Sequence, residues 1–159
     1  MAYYTVPKFE GEIQGSRIIW ETAGEIVYLE PYGKNALRFR GTKSLHIDEK
    51  LNWTLLDPGN PGNVQIDVNE KRAKITNGKI GAEITGDGTV TYFETNTGRV
   101  LLEESWIDGR VHTAPLRRAR EYRVTSGNQF KIDLYFKEEK GEHFFGMGQD
   151  ANDLSLIHI

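Results

Sequence analysis

The chain has 159 residues, 38% hydrophobic and 27% charged, and a formal net charge of −3 with both signs scattered along it. No run approaches the roughly 18 consecutive apolar residues of a membrane-spanning helix, and no clustered basic face of the kind nucleic acid demands is present. The absence of cysteine excludes a disulfide framework and a thiolate metal site. Residues 1–8 offer neither a basic nor an apolar leader segment. The expectation is a protein without a signal peptide, located in the cytoplasm.

Taken in chain order, short runs of β-branched and aromatic residues alternate with glycine turns. Ile18-Ile19-Trp20 and Ile26-Val27-Tyr28-Leu29 read as two strands around Ala23-Gly24, with Trp20 in the core. At residues 36–40, Leu37 and Phe39 fall on one face and Arg38 and Arg40 on the other, the period-two pattern of a half-buried strand. Residues 57–63, rich in proline, glycine and asparagine, form a turn-rich loop. From 64 to 104 five apolar alternations follow: Ile66/Val68, Ala73/Ile75, Ile80/Ala82/Ile84, Val90/Tyr92 and Val100/Leu102. Turns at Asn69-Glu70-Lys71, Asn77-Gly78, Gly86-Asp87-Gly88 and Asn96-Thr97-Gly98 separate them, which predicts a meander of antiparallel strands. A last alternating strand covers 130–136 after the turn Ser126-Gly127-Asn128. The predicted class is all-β, a sandwich or barrel in one domain with few or no helices. The basic run Arg117-Arg118-Ala119-Arg120, beside Glu121, reads as a solvated loop or a structural ion-pair site in preference to a phosphate contact.

Little in this pattern supports chemistry. The histidines, His46, His112, His143 and His158, lie at no metal-ligand spacing, and no carboxylate cluster accompanies them. Gly81, Gly86 and Gly88 sit in a hairpin context rather than at the strand-to-helix turn of a dinucleotide fingerprint. Sugar hydrolysis usually employs two carboxylates, and Glu103-Glu104, Glu138-Glu139 and Asp150/Asp153 are the candidate pairs. Glu103 and Glu104 point to opposite faces of a strand, and Glu138-Glu139 belongs to a charged turn. Asp150 and Asp153 are followed by too little sequence to build a pocket. Trp53 and Trp106, nearer loops than Trp20, are candidates for packing, interdomain contact or sugar stacking.

Four segments, in order, resemble the front of the family 31 glycoside hydrolases, the α-glucosidases and α-xylosidases. They are residues 32–40 (Tyr-Gly-Lys-Asn-Ala-Leu-Arg-Phe-Arg) followed by 52–56 (Asn-Trp-Thr-Leu-Leu), 75–82 (Ile-Thr-Asn-Gly-Lys-Ile-Gly-Ala), and 88–93 with 98–104. The fourth is the glycine-aromatic-glycine-glutamine motif in 141–149, with Gly146, Gly148 and Gln149. The resemblance spans roughly residues 15–153. It implies a galactose-mutarotase-like β-sandwich, residues 1–153, ahead of a (β/α)₈ barrel that is missing here. In that family the barrel supplies two aspartates for retaining hydrolysis of an α-linked gluco- or xylo-saccharide, without a cofactor. Neither aspartate's motif occurs in this chain, and a whole barrel takes about 250 further residues. The resemblance therefore implies a non-catalytic accessory domain, with Gly146 to Gln149 as its junction to the barrel.

Residues 154–159, Leu-Ser-Leu-Ile-His-Ile, depart from the family. They match a translation of CTG TCT CTT ATA CAC ATC, the mosaic-end adapter of transposon-based sequencing libraries. The expectation is a non-native tail on a truncated reading frame, against a natural apolar terminal strand. A sandwich cut before its closing strands would leave unpaired edges and exposed apolar surface, hence poor solubility. Two other functions stay open. One is a stand-alone carbohydrate-binding module. The other is a mutarotase using His112 as acid and Glu142 as base, on a chain about half the length such an enzyme needs.

Overall fold

The computed structural model describes residues 7–22, 24–49, 55–105, 119–127, 129–138 and 140–141. Among these residues the secondary structure is entirely β. The first four strands, β1 (Gly11–Gln14), β2 (Arg17–Thr22), β3 (Glu25–Pro31) and β4 (Leu37–Thr42), form an antiparallel sheet in sequence order. A second antiparallel meander follows: β5 (Val64–Val68), β6 (Arg72–Asn77), β7 (Ile80–Thr85), β8 (Val90–Glu94) and β9 (Val100–Glu103). The hairpin of β10 (Arg120–Val124) and β11 (Phe130–Leu134) completes the described strands.

The two large sheets pack face to face as an open sandwich rather than closing into a barrel. Alternation dictates which residues meet between them. Ile18 and Trp20 of β2 and Val27 and Leu29 of β3 point inward from one sheet; Ala73, Ile75, Ala82, Ile84 and Val90 point inward from the other. Leu37 and Phe39 of β4 pack against this core while Arg38 and Arg40 face outward, as the period-two pattern requires. Trp20 is fully buried, and its indole N–H donates to the Gly86 carbonyl at 3.4 Å. Each fully buried large aliphatic or aromatic side chain stabilises the fold by roughly 1.5–3 kcal/mol.

The five predicted alternations from Val64 to Glu104 are all strands, and each predicted turn falls between them. At the turn between β7 and β8, Thr85 and Thr89 both bond Asp87, so its carboxylate holds the loop in shape. Gly88 in that loop has φ 86° and lies against the Trp20 ring, in space where a Cβ would overlap the indole.

The hairpin extends the second sheet. Past β9, the Ser105 N–H donates to the Tyr135 carbonyl at 2.9 Å and the Lys137 N–H to the Glu103 carbonyl at 2.8 Å. On one side of the hairpin Arg123 pairs with Asp133. On the other, Val124, Phe130, Ile132, Leu134 and Phe136 form an apolar ladder 37–69% exposed. The alternation in 130–136 predicts a strand with one apolar side, and the structure leaves that side largely open. The end bearing Arg120 and Tyr122 bonds the first sheet, through Glu25 at the start of β3.

Gly88→Ala is expected to cost about 2–4 kcal/mol, combining positive-φ strain with overpacking against Trp20. Gly98→Ala, at φ 72° with open space around it, should cost only about 1–2 kcal/mol. Urea unfolding of both variants checks the difference, and equal losses would remove the Trp20 contact from the explanation.

Candidate functional site

The most deeply buried ion-pair cluster among the described residues lies where the hairpin meets both sheets. Arg120 opens β10, Glu25 opens β3, and Glu104 follows β9. The strand register turns all three inward, leaving their side chains only 2–4% exposed. The Arg120 Nε–H donates to Glu25 Oε1 at 2.6 Å, its Nη1 group donates to Glu104 Oε2, and its Nη2 group donates to the Gly88 carbonyl at 2.7 Å. The guanidinium also lies over the Phe39 ring at 5.2 Å. Tyr122, two residues along the same strand face, donates its hydroxyl to Glu25 Oε1 at 3.1 Å. Glu104 Oε2 further accepts the Val90 N–H at 2.8 Å.

One guanidinium thus serves two carboxylates. Burial pushes the Glu104 carboxyl above its ordinary value, against the opposing pull of the Arg120 charge, the Arg120 hydrogen bond and the Val90 N–H. Burial, reinforced by the Glu25 charge, also holds the Tyr122 phenol well above its usual range. Glu25 and Glu104 are therefore a pair of carboxylates that the fold brings together in its interior, and their geometry fits fastening rather than catalysis. Both are enclosed and bound to the same cation, so neither is free to attack a substrate carbon or deliver a proton to a leaving group. Among the readings of the basic run, the structure selects the ion-pair site for Arg120; Arg117 and Arg118 lie outside the described residues.

A second cluster gathers loops at one end of the sandwich. Asn77, fully buried at the end of β6, donates through its amide to the carbonyls of Gly33 at 2.7 Å and Ala36 at 2.8 Å, and accepts the Gly62 N–H at 2.8 Å. Asn35 accepts the Lys79 N–H at 2.9 Å, and the Tyr32 hydroxyl donates to the Leu56 carbonyl. Gly78, at φ 63°, admits this close approach of residues 34–35, where a Cβ would meet Asn35 and the Lys34 carbonyl. The sequence marks Asn77-Gly78 as a turn but does not reveal the buried amide, whose two carbonyl partners lie more than 40 residues away. An asparagine in register with the apolar Ala73 and Ile75 was the available signal.

Of the candidate residues, Gly146, Gly148, Gln149, Trp53 and Trp106 all lie outside the described residues, as do His112, Glu142, His143, Asp150, Asp153 and His158. His46 is exposed on the loop after β4. Glu103 and Glu104 do face opposite ways, since Glu103 pairs with Lys137 while Glu104 is enclosed. A shallow groove lined by Glu10, Glu12, Ile19, Glu21 and Thr22 runs along β1 and β2, without an aromatic platform for a sugar.

Arg120→Met should cost about 3–5 kcal/mol, because it strands two buried carboxylates. Glu104→Gln keeps an acceptor for Arg120 and should cost less than half as much. Its pH dependence is diagnostic. A carboxyl whose folded value is raised contributes stability that is full below the ordinary value of 4.5 and is lost as pH rises through the raised value. Glu104→Gln should therefore compare better with the wild type at pH 7 than at pH 4, as urea unfolding at the two pH values will read.

No family model matches the chain. The uncharacterized family 31 glucosidase ORF2 of Pseudescherichia vulneris is 27% identical over 147 residues, covering 83% of this chain and 27% of the relative. Among solved structures, a GH31 α-xylosidase from a soil metagenome, crystallised with xylose, superposes with a TM-score of 0.72 at 27% identity. That match covers 83% of this chain and 21% of the xylosidase. The chain spans about a quarter of the length of the curated relative it matches. The segments read as family-like at 32–40 and 75–82 also meet in space, through Asn77 and Asn35. The chain is a relative of the family 31 glycoside hydrolases.

Proposed function

We propose that this chain is the front accessory β-sandwich of a longer retaining α-glycoside hydrolase, and that by itself it is non-catalytic. The observation that carries this reading is the extent of the match: 83% of the chain aligns with only 21% of an α-xylosidase. Two features of the fold support it. The paired carboxylates Glu25 and Glu104 are enclosed and both bound to Arg120, which fits a structural fastening rather than a nucleophile and acid/base pair. The apolar ladder along β11 and Val124 is surface that a larger body would cover. On this reading the hydrolytic aspartates belong to a (β/α)₈ barrel, and the substrate is an α-linked gluco- or xylo-saccharide. The sandwich contributes by packing on that barrel, with residues 146–149 as the junction, and by shaping the pocket's rim. Trp53 and Trp106 are its proposed interdomain or sugar contacts.

The purified chain is expected to release no aryl alcohol from aryl α-glucosides or α-xylosides and to give no calorimetric binding signal with gluco- or xylo-oligosaccharides. Hydrolysis by the purified chain would overturn the non-catalytic role. Binding without hydrolysis would instead make it a carbohydrate-binding module.

A further inference from the structure

The outer face of the four-stranded sheet carries a second charge cluster, independent of the Arg120 site. The register sets Arg17 of β2, Glu30 of β3 and Arg38 of β4 in one cross-strand row, with Tyr28 and Arg40 in the next. Glu30 is the central carboxylate. It lies 2.7 Å from Arg40 Nε, 3.8 Å from Arg38 Nε and 3.9 Å from Arg17 Nη1. These strands thus place three guanidinium groups around one carboxylate, a surplus of positive charge on a half-buried surface. Tyr28 lies under two of them, with Arg17 4.6 Å and Arg40 5.2 Å from its ring centre.

The surplus is met from outside the sheet. Glu49, from the loop after β4, splits its carboxylate between the two arginines on Tyr28. One oxygen accepts Arg17 Nη1 at 2.5 Å and the other accepts Arg40 Nη2 at 3.0 Å. The hosts are shielded and the guest is not: side-chain exposure is 22% for Arg17 and 12% for Arg40, but 53% for Glu49. The Arg17 hydrogen bond, aided by Arg40, holds the Glu49 carboxyl below its ordinary value, so it is ionised at neutral pH. Two guanidinium groups fixed on one aromatic ring make a rigid bidentate receiver for any planar or tetrahedral oxyanion.

We propose that Arg17 and Arg40 form an anion seat on the outer sheet face, and that Glu49 is an exchangeable latch in it. A carboxylate or phosphate group that takes the seat releases the Glu49 side chain, and with it that end of the loop after β4, from the sheet. Exchange is feasible because an exposed ion pair holds its partner by a factor of only about two to five, whereas the arginines stay fixed by Glu30 and Tyr28 when Glu49 leaves.

The test follows the side-chain Nε–H resonances of Arg17 and Arg40, and the amides of residues 44–49, by NMR during titration with inorganic phosphate and, separately, acetate. In the wild-type chain, phosphate should shift both arginines and the 44–49 amides together. Glu49→Gln should bind phosphate about two- to fivefold more tightly, with the 44–49 amides no longer responding to the anion. The Arg17→Met, Arg40→Met double variant should lose the saturable shift. Acetate acting like phosphate would define a general oxyanion seat, and phosphate alone would restrict it to tetrahedral anions. Absence of saturation by either anion in Glu49→Gln would overturn the seat. Equal affinities in wild type and Glu49→Gln, or wild-type arginine shifts without loop shifts, would overturn the latch.

Discussion

Arg120 brings one positive charge to two buried carboxylates that come from different layers of the fold. Taking three ionised groups out of water costs several kcal/mol per ion before any attraction is counted. The arrangement holds because the guanidinium fork is matched at each edge: Glu25 at Nε, Glu104 at Nη1 and the Gly88 carbonyl at Nη2. Those partners belong to the first sheet, to the residue that directly follows β9 and to the β7–β8 turn. The turn in turn wraps Trp20, the largest side chain of the core. The clamp therefore ties the hairpin, both sheets and the central tryptophan to one another, and Tyr122 repeats the link from hairpin to β3.

Much of this architecture was legible as period and punctuation. Apolar alternation from Val64 to Leu102, with asparagine-glycine and glycine-aspartate turns, specified five strands because only one register buries Ala73, Ile75, Ala82, Ile84 and Val90 together. Leu37 and Phe39 against Arg38 and Arg40 separated the faces of β4 in the same way. What the period could not supply was the third dimension. Arg120 and Glu25 are 95 positions apart, and nothing local to either marks the other as its partner. Strands β1 and β10 were missed for a related reason. Gly-Glu-Ile-Gln and Arg-Glu-Tyr-Arg-Val are dominated by charged and polar residues, and partners on neighbouring strands hold them in the sheet. Alternation in β11 predicted an apolar face correctly but could not say whether anything covers it.

The candidate site was less legible than the fold. Glycine-rich segments that carried the family resemblance had meaning in sequence only as turns; in space two of them converge on the Asn77 amide. A buried asparagine bonded to the Gly33 and Ala36 carbonyls and to the Gly62 N–H fixes three loops by one side chain, and neighbouring Gly78 has no Cβ to obstruct them. Residues at 32–36 and 75–82 are thus linked by hydrogen bonds, a physical reason for them to occur together.

If the Arg120 clamp is what unites the molecule, the hairpin and the sandwich should open as one cooperative unit. Native-state hydrogen exchange reads this directly from the amides of Tyr135, in the hairpin, and Glu104 and Thr85, in the second sheet, all of which are backbone hydrogen bonded. The account predicts a shared opening free energy for all three. A Tyr135 amide that exchanges through a far cheaper opening than the other two would contradict it, and would leave the hairpin as an appendage that the buried charges do not hold.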